Sequence, residues 1–550
     1  MRRGVFYDAM EFNLADLFEH AVDHFADREY LVAGGKRRTY REMEGRANRL
    51  AHHLAASGVG PGDHVGIYAY NCVEWVETLW AVFKLRAVWI NINYRYVEDE
   101  LRYLFDNADL KALVFAREFA PRVAGVRDAM PFLRHLVVLD DGSAADLSGL
   151  EAVEYEAALA ARSPERDFAP RSGDDRYILY TGGTTGMPKG VVWRHEDVFM
   201  ALGGGIDPLT RERVSRPEEM VERGLAMGGP VTFLPIAPLM HGATQWAVMS
   251  QSFSGNRVLL VAKFSAADVW RLVEEEKVAS IMITGDAMGR PLIEELQGAS
   301  AGRDVSSLFV LSSSAATFSP TVKDAFFEKF PNLMMIDAVG ASESGNTGMV
   351  TVQPGQTGMK GGPTVTKLGN TVVLDENGRP VEAGSGIVGK LARAGDIPLE
   401  YYKDPAKSAE TFETYDGVRY SIPGDYAMVE EDGRITLIGR GSVSINSGGE
   451  KIFPEEVEAA VKSHPDVFDC TVVGVPDERF GQRVCAVVQL RPGRTPTLES
   501  IQQQCRKKIA GYKVPREMHL VDEIVRSPSG KPDYRWARAA ALEARRDPAP

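Results

Sequence analysis

A chain of 550 residues, 44% hydrophobic and 25% charged, has the composition of an ordinary folded protein and the length for three or four domains or subdomains at ~150 residues each; it can bury several cores without disulfide or metal staples. Its 63 basic and 76 acidic side chains give a net charge of −13, which argues against a surface built to coat nucleic acid but not against a local phosphate site. The four cysteines, Cys72, Cys470, Cys485 and Cys505, form no C-x-x-C pair and no metal-site spacing, so a reducing, cytoplasmic location is the simple reading.

At the start of the chain, Asp8, Glu11 and Asp16 interrupt what would have to be the apolar core of a signal peptide, and no apolar run reaches the ~18 residues of a membrane span. Met43, Ala47, Leu50 and Leu54 recur at helical spacing, and Gly58, Gly60, Pro61 and Gly62 end that helix. The run from His64 to Tyr70 reads as a strand, 72–86 as a helix, 87–92 as extended, 97–108 as a helix and 111–115 as extended. Such alternation predicts a mostly parallel sheet covered by helices.

Residues 141–175 read as a connecting stretch, and 202–229, with Gly203-Gly204-Gly205 and Gly228-Gly229, as a surface insertion. From 355 to 440 short runs separated by turns predict a β-rich subdomain. A polar, glycine-rich stretch follows Arg440, and then a compact α+β pattern: helix at 455–462, strands at 470–475 and 483–490, helix at 498–509. The predicted fold is therefore α/β. A large N-terminal domain (1–440) holds mixed or parallel sheets flanked by helices and includes the β-rich subdomain. A small, mobile α+β domain (441–550) follows it.

The segment Ile178-Leu-Tyr-Thr-Gly-Gly-Thr-Thr-Gly-Met-Pro-Lys-Gly-Val191 leads an apolar run into a loop with four glycines, three threonines and one lysine. Glycines let backbone amides approach a phosphate and form an anion nest; threonine hydroxyls add donors and Lys189 adds charge. The loop is not a Walker A loop, since Gly-x-x-x-x-Gly-Lys-[Ser/Thr] is absent. A Gly/Thr loop alone is most often a hairpin tip.

This loop resembles the phosphate loop of the adenylate-forming superfamily, which includes acyl-CoA synthetases, luciferases and adenylation domains of peptide synthetases. Four further motifs follow in family order: Val339-Gly-Ala-Ser-Glu343, Tyr420-Ser-Ile-Pro-Gly-Asp425, Leu437-Ile-Gly-Arg440 and Ser529-Gly-Lys531. The resemblance spans residues 10 to 540. It implies that Thr181, Gly182, Gly183, Thr184, Thr185, Gly186 and Lys189 hold the β- and γ-phosphates of ATP. Glu343 would ligate Mg²⁺, Ser342 would reach the α-phosphate, and Asp425 would accept the ribose hydroxyls with Arg440 in support. Ser314, Ala315 and Ala316 would line the adenine pocket, with Asp337, Val339 and Gly340 on the nucleotide side. Lys531 would bridge the attacking carboxylate and the phosphate. Ser447, Gly448 and Gly449 would leave room for the pantetheine of coenzyme A.

Two positions depart from the pattern. Val339 replaces the usual tyrosine and removes stacking on adenine. Ser442 replaces the Asp or Lys that often serves as the hinge, which is still expected there. The implied activity is that of an AMP-forming acyl-CoA synthetase: ATP and a carboxylic acid give acyl-AMP and pyrophosphate, and CoA then gives acyl-CoA and AMP. An acyl-AMP ligase loading a carrier protein, a luciferase-like oxygenase and a non-catalytic nucleotide binder are the alternatives. Intact Lys531, Glu343 and Asp425 speak against the last. A homodimer is an arrangement common in such enzymes. His20 and His24 lack the Glu of an H-E-x-x-H site, and Cys72 has no partner motif, so both are read as structural.

Further strings resemble the actinobacterial acyl-CoA ligases that activate fatty acids and steroid side-chain acids: Asn93 to Leu101, Trp193 to Val198, Met240 to Gln245, Gly285 to Ala287, Gly449 to Pro454 and Lys531 to Trp536. The resemblance implies an acyl site along His241, Gly242, Ala243 and Gly285, whose small side chains would leave width for a bulky apolar acid, with a medium- or long-chain fatty acid as the other reading. The plain alternative is that small residues only permit close backbone packing.

Overall fold

The computed structural model describes residues 12–181, 187–207, 212–357, 362–447, 450–477, 480–527 and 530–546. The chain divides into two compact units, residues 1–264 with 396–410 and residues 265–395 with 411–550.

The first unit is built on an eight-stranded sheet. Strands His64–Tyr68, Val88–Asn91, Leu110–Ala116, His135–Leu139 and Arg176–Thr181 are parallel neighbours within it. They are nearly all buried, as parallel strands covered on both faces must be. Helices Tyr40–Ala56, Val73–Lys84 and Glu98–Asn107 fall where the periodicity predicts, the first closed by a Thr39/Glu42 capping box. Lys189–Arg194 returns antiparallel to Arg176–Thr181, so the Gly/Thr segment joins two hydrogen-bonded strands. The short strand Glu400–Tyr401 pairs with Lys189–Arg194, so residues 396–410, inside the predicted β-rich stretch, belong to the first unit.

The described part of the predicted insertion at 202–229 is packed rather than only superficial. It carries the helix Glu218–Ala226 with Met220 and Val221 buried, and a Cβ on Gly224 would stand 2.1 Å from the Ser254 carbonyl oxygen. The stretch 141–175 holds a short strand, Val153–Glu154, and a helix, Tyr155–Ala160.

In the second unit the parallel strands Ser280–Ile283, Val310–Ser313 and Met334–Ala341 are followed by antiparallel strands, among them Gly345–Val352, Val388–Ala394, Asp425–Val429 and Ile435–Arg440. A five-stranded sheet closes the chain. Its strand Gly481–Leu490 alternates sides: Val484, Ala486 and Val488 pack with Val457, Val461, Ile501 and Cys505 of helices Pro454–Lys462 and Leu498–Arg506. Cys485 and Val487 face Ala537 and Ala541 of helix Tyr534–Arg546.

Candidate active site

Gly182 to Gly186 lie outside the described residues. What leads into and out of them is firmly held. Asn91 donates to the carbonyls of Tyr180 (2.9 Å) and Met240 (2.7 Å), and its Oδ1 accepts the Tyr180 amide (2.8 Å). One buried amide thus fixes the end of the strand before the glycine-rich loop and the start of the Met240–His241 turn. Sequence reasoning missed Asn91; its only signal is a polar residue ending an apolar strand. Lys189 forms an ion pair with Asp404, carried in by residues 396–410.

His241 stands at the N-cap of helix Gly242–Phe253. A Cβ on Gly242 would lie 2.5 Å from Leu179 Cδ2 and 2.8 Å from the Trp246 ring, so its smallness serves local packing. Ala243 keeps partial exposure. Buried Gln245 accepts from Tyr177 (2.7 Å) and Trp89 (3.2 Å) and ties that helix to the sheet.

The second unit gathers charge. Asp425 and Arg440 are cross-strand partners, with Arg440 Nε donating to Asp425 Oδ1 at 3.0 Å. Asp425 above all, with Glu343 adding to it, keeps the Arg440 guanidinium charged against the cost of burial. The Glu343 carbonyl accepts from Ser421 Oγ. Lys531 retains solvent exposure, yet dense protein around it pushes the ammonium pKa down, chiefly by desolvation and then through Arg440, while Glu343 and Asp425 oppose the fall. The structure therefore brings four of the named residues, Glu343, Asp425, Arg440 and Lys531, into one electrostatic cluster.

The turn carrying Lys531 is clamped by residues that sequence reasoning did not single out. Arg526 pairs with Asp469 through two 2.7 Å hydrogen bonds and donates to the Gly530 carbonyl at 2.9 Å. Gly530, at φ +74°, sits 2.9 Å by its would-be Cβ from Thr284 Oγ1 and 3.0 Å from Ala287 Cβ, so no larger residue fits. A second unforeseen group is Glu455, whose Oε1 accepts the Arg440 amide at 3.3 Å. Burial, then Glu458, raises its pKa to about 8.

Ser314 and Ala316 are half-buried and Ala315 is exposed, at a left-handed φ of +67°. Gly285 approaches the same segment: at φ +57° a Cβ there would lie 2.3 Å from the Thr317 carbonyl oxygen. Backbone crowding accounts for glycine at 285, which is the plain packing alternative. Asp337 is buried in an ion pair with Lys323, and burial raises its pKa against that lysine. Val339 packs against the cluster of Val373, Leu391, Ala427 and Ile435, and Gly340 is exposed beside it. Ser342 is half-buried. Ser442 lies in the 3-10 turn Gly441–Val443 and Ser447 ends the strand Ile445–Ser447; Gly448 and Gly449 are outside the described residues. The Cys72 thiol is pushed well up by burial and Glu74, which leaves it protonated and unreactive at neutral pH.

The AMP-binding enzyme family matches residues 18–402, and its C-terminal domain matches residues 456–531. The chain belongs to the AMP-binding enzyme family and is an acyl-CoA ligase, an acid–thiol ligase. It is 54% identical over 533 residues to a 3-oxocholest-4-en-26-oate–CoA ligase of Rhodococcus rhodochrous, covering 96% of each chain. It is 52% identical over 534 residues to a medium/long-chain-fatty-acid–CoA/3-oxocholest-4-en-26-oate–CoA ligase of Mycobacterium marinum, again covering 96% of each. Among solved structures, an anthranilate CoA ligase in complex with anthranoyl-AMP shares the fold at a TM-score of 0.82 and 23% identity, over 97% of this chain and 98% of that one. Among the described residues no helix is long and apolar enough to cross a membrane.

Proposed function

We propose that the chain activates a bulky apolar acid, a steroid bearing a side-chain carboxylate, as its acyl-adenylate and then passes the acyl group to CoA. The observation that carries the reading of the site is the Arg440–Asp425 pair at 3.0 Å, whose charges, with that of Glu343, act on Lys531. A carboxylate attacking the α-phosphorus of ATP brings two anions together, so the chain must position and neutralise rather than form a covalent enzyme intermediate. Lys531 does this between the acid and the α-phosphate, with Ser342 donating to the same phosphate. Asp425, oriented by Arg440, accepts the ribose hydroxyls. Thr181 to Lys189 take the β- and γ-phosphates. Ser314 to Ala316, Asp337, Val339 and Gly340 form the adenine side. Glu343 offers the hard carboxylate oxygens that Mg²⁺ favours, inside a donor set that mixes carboxylates with cations; it would hold that ion, which neutralises charge on the departing pyrophosphate. Ser442 is the pivot, the domain division lies near 440, and Ser447 to Gly449 pass the pantetheine. Four cysteines outside any disulfide favour a reducing cytoplasm.

The substrate reading is supported by the names of the two relatives and by Ala243, the small residue at the helix start that keeps exposure. The Mycobacterium marinum relative's name also covers medium- and long-chain fatty acids, which makes them the runner-up. The deciding experiment measures AMP and thioester formation from steroid side-chain acids, octanoate and palmitate. The steroid is expected to have the higher kcat/KM, and Ala243→Leu to lower it about 10-fold more than that of the linear acids. Preference of the wild type for a linear acid over every steroid acid tried would end the steroid reading.

A further inference from the structure

Away from that charged cluster, strand Gly481–Leu490 runs parallel to strand Glu517–Val521, with Cys485 beside Glu517 and Val487 beside His519. The alternation that puts Cys485 and Val487 beneath helix Tyr534–Arg546 puts Glu517 and His519 on the same face. Cys485 Sγ, a Glu517 carboxylate oxygen and a His519 ring nitrogen all lie within 4.8 Å of one another.

The spacing within this group is informative. His519 Nε2 stands 3.7 Å from Glu517 Oε2, too far for a hydrogen bond, and Nε2 is buried with no hydrogen-bond partner among the described residues. Two ligand atoms held at 2.0–2.2 Å by one tetrahedral ion stand about 3.4 Å apart. The pair is therefore spaced as two ligands of a common ion are, and without an ion it is at most a long ion pair when the imidazole is protonated. Arg483 ion-pairs with Oε1 of the same carboxylate, which orients Oε2 toward His519. The Glu517 and His519 side chains are 17% and 20% exposed, while Oε2, Nε2 and Cys485 are themselves buried.

We propose that Cys485, Glu517 and His519 form a site for one divalent cation of the zinc type, with sulfur, oxygen and nitrogen ligands and a water in the fourth position. Thiolate, imidazole and carboxylate together suit such a borderline-soft ion better than Mg²⁺ or Ca²⁺, which take oxygen ligands. On binding, the metal–sulfur bond replaces the S–H bond and the proton goes to solvent; nothing is oxidised or reduced. The ion joins strand Glu517–Val521 to its neighbour and so ties together the sheet beneath the Lys531 turn.

The test uses the full chain, treated with chelator and titrated with Cd²⁺ as the probe, following the thiolate-to-metal charge-transfer band and proton release. The expected result is one saturable equivalent and about one proton released per ion. Cys485→Ser abolishes the band, His519→Ala weakens binding about 10-fold or more, and Cys505→Ser, on the opposite face of the sheet, leaves both unchanged. Zn²⁺ raises the Tm of the wild type but not of His519→Ala. No saturable band, or a band unaffected by Cys485→Ser or by His519→Ala, would overturn the site. If Cys485→Ser fails to fold, the partly exposed His519→Ala decides alone.

Discussion

Two lysines of the second unit meet carboxylates in opposite ways. Lys323, on the helix Pro320–Lys329, has a side chain only 2% exposed and closes onto Asp337 in the parallel sheet. Lys531 stands on a clamped turn, exposed, with no side-chain ion pair among the described residues, and feels Glu343, Asp425 and Arg440 together. The first is a direct ion pair through one carboxylate oxygen, in which the lysine only partly offsets the cost of burying Asp337. The second, on the proposed function, is a cation kept ready for an anion that arrives from outside; the protein holds its turn with Arg526 and Asp469. A lysine's chemistry here follows from what its neighbours leave unanswered, not from burial alone.

The contrast can be broken at either lysine. The largest effect is expected from Lys531→Ala, which should lower overall acyl-CoA formation by about 10²–10³ or more while barely moving the Tm. Wild-type turnover would remove Lys531 from the chemistry. Next, Lys323→Met should destabilise the fold by about 3–5 kcal/mol, because Asp337 is left buried and uncompensated, and pairing it with Asp337→Leu should restore most of that. Urea denaturation measures both; a neutral single variant would show that the pair carries no structural role.

The smallest effect concerns the acid at the Arg440 amide. Glu455 has a folded-state pKa raised to about 8 above an ordinary carboxylate value of ~4.3. The folded protein therefore holds a proton that the unfolded chain has released between those values. Its favourable contribution is complete below the unfolded pKa, declines as pH rises by on the order of 1 kcal/mol per pH unit, and is gone above about 8. Glu455→Gln should flatten the fall in stability between pH 6 and about 8; identical pH profiles would mean that Glu455 ionises normally.

Much of this was legible in the sequence, and the reasons are local. The helices Tyr40–Ala56 and Val73–Lys84 and the buried parallel strands announce themselves by apolar spacing. Asp425 and Arg440 each sit in an ordered motif, and antiparallel register makes them face. Asn91, Asp469 and Arg526 were not legible because their roles depend on partners 57 to 149 residues away. The glycines taught a subtler lesson. Gly285 attracts attention as a small residue suited to an acyl tunnel, yet its positive φ and the Thr317 carbonyl already require glycine. The strand Glu400–Tyr401 belongs to the first unit only because it pairs with Lys189–Arg194, and pairing between segments so far apart leaves no trace in either one.

The comparison of the two lysines comes down to which step needs the unanswered charge. The direct measurement separates the half reactions of Lys531→Ala: acid-dependent exchange of pyrophosphate into ATP, and conversion of supplied acyl-AMP and CoA to thioester. Near-complete loss of the first with the second largely retained is the predicted result; equal loss of both would contradict the assignment of Lys531 to adenylation.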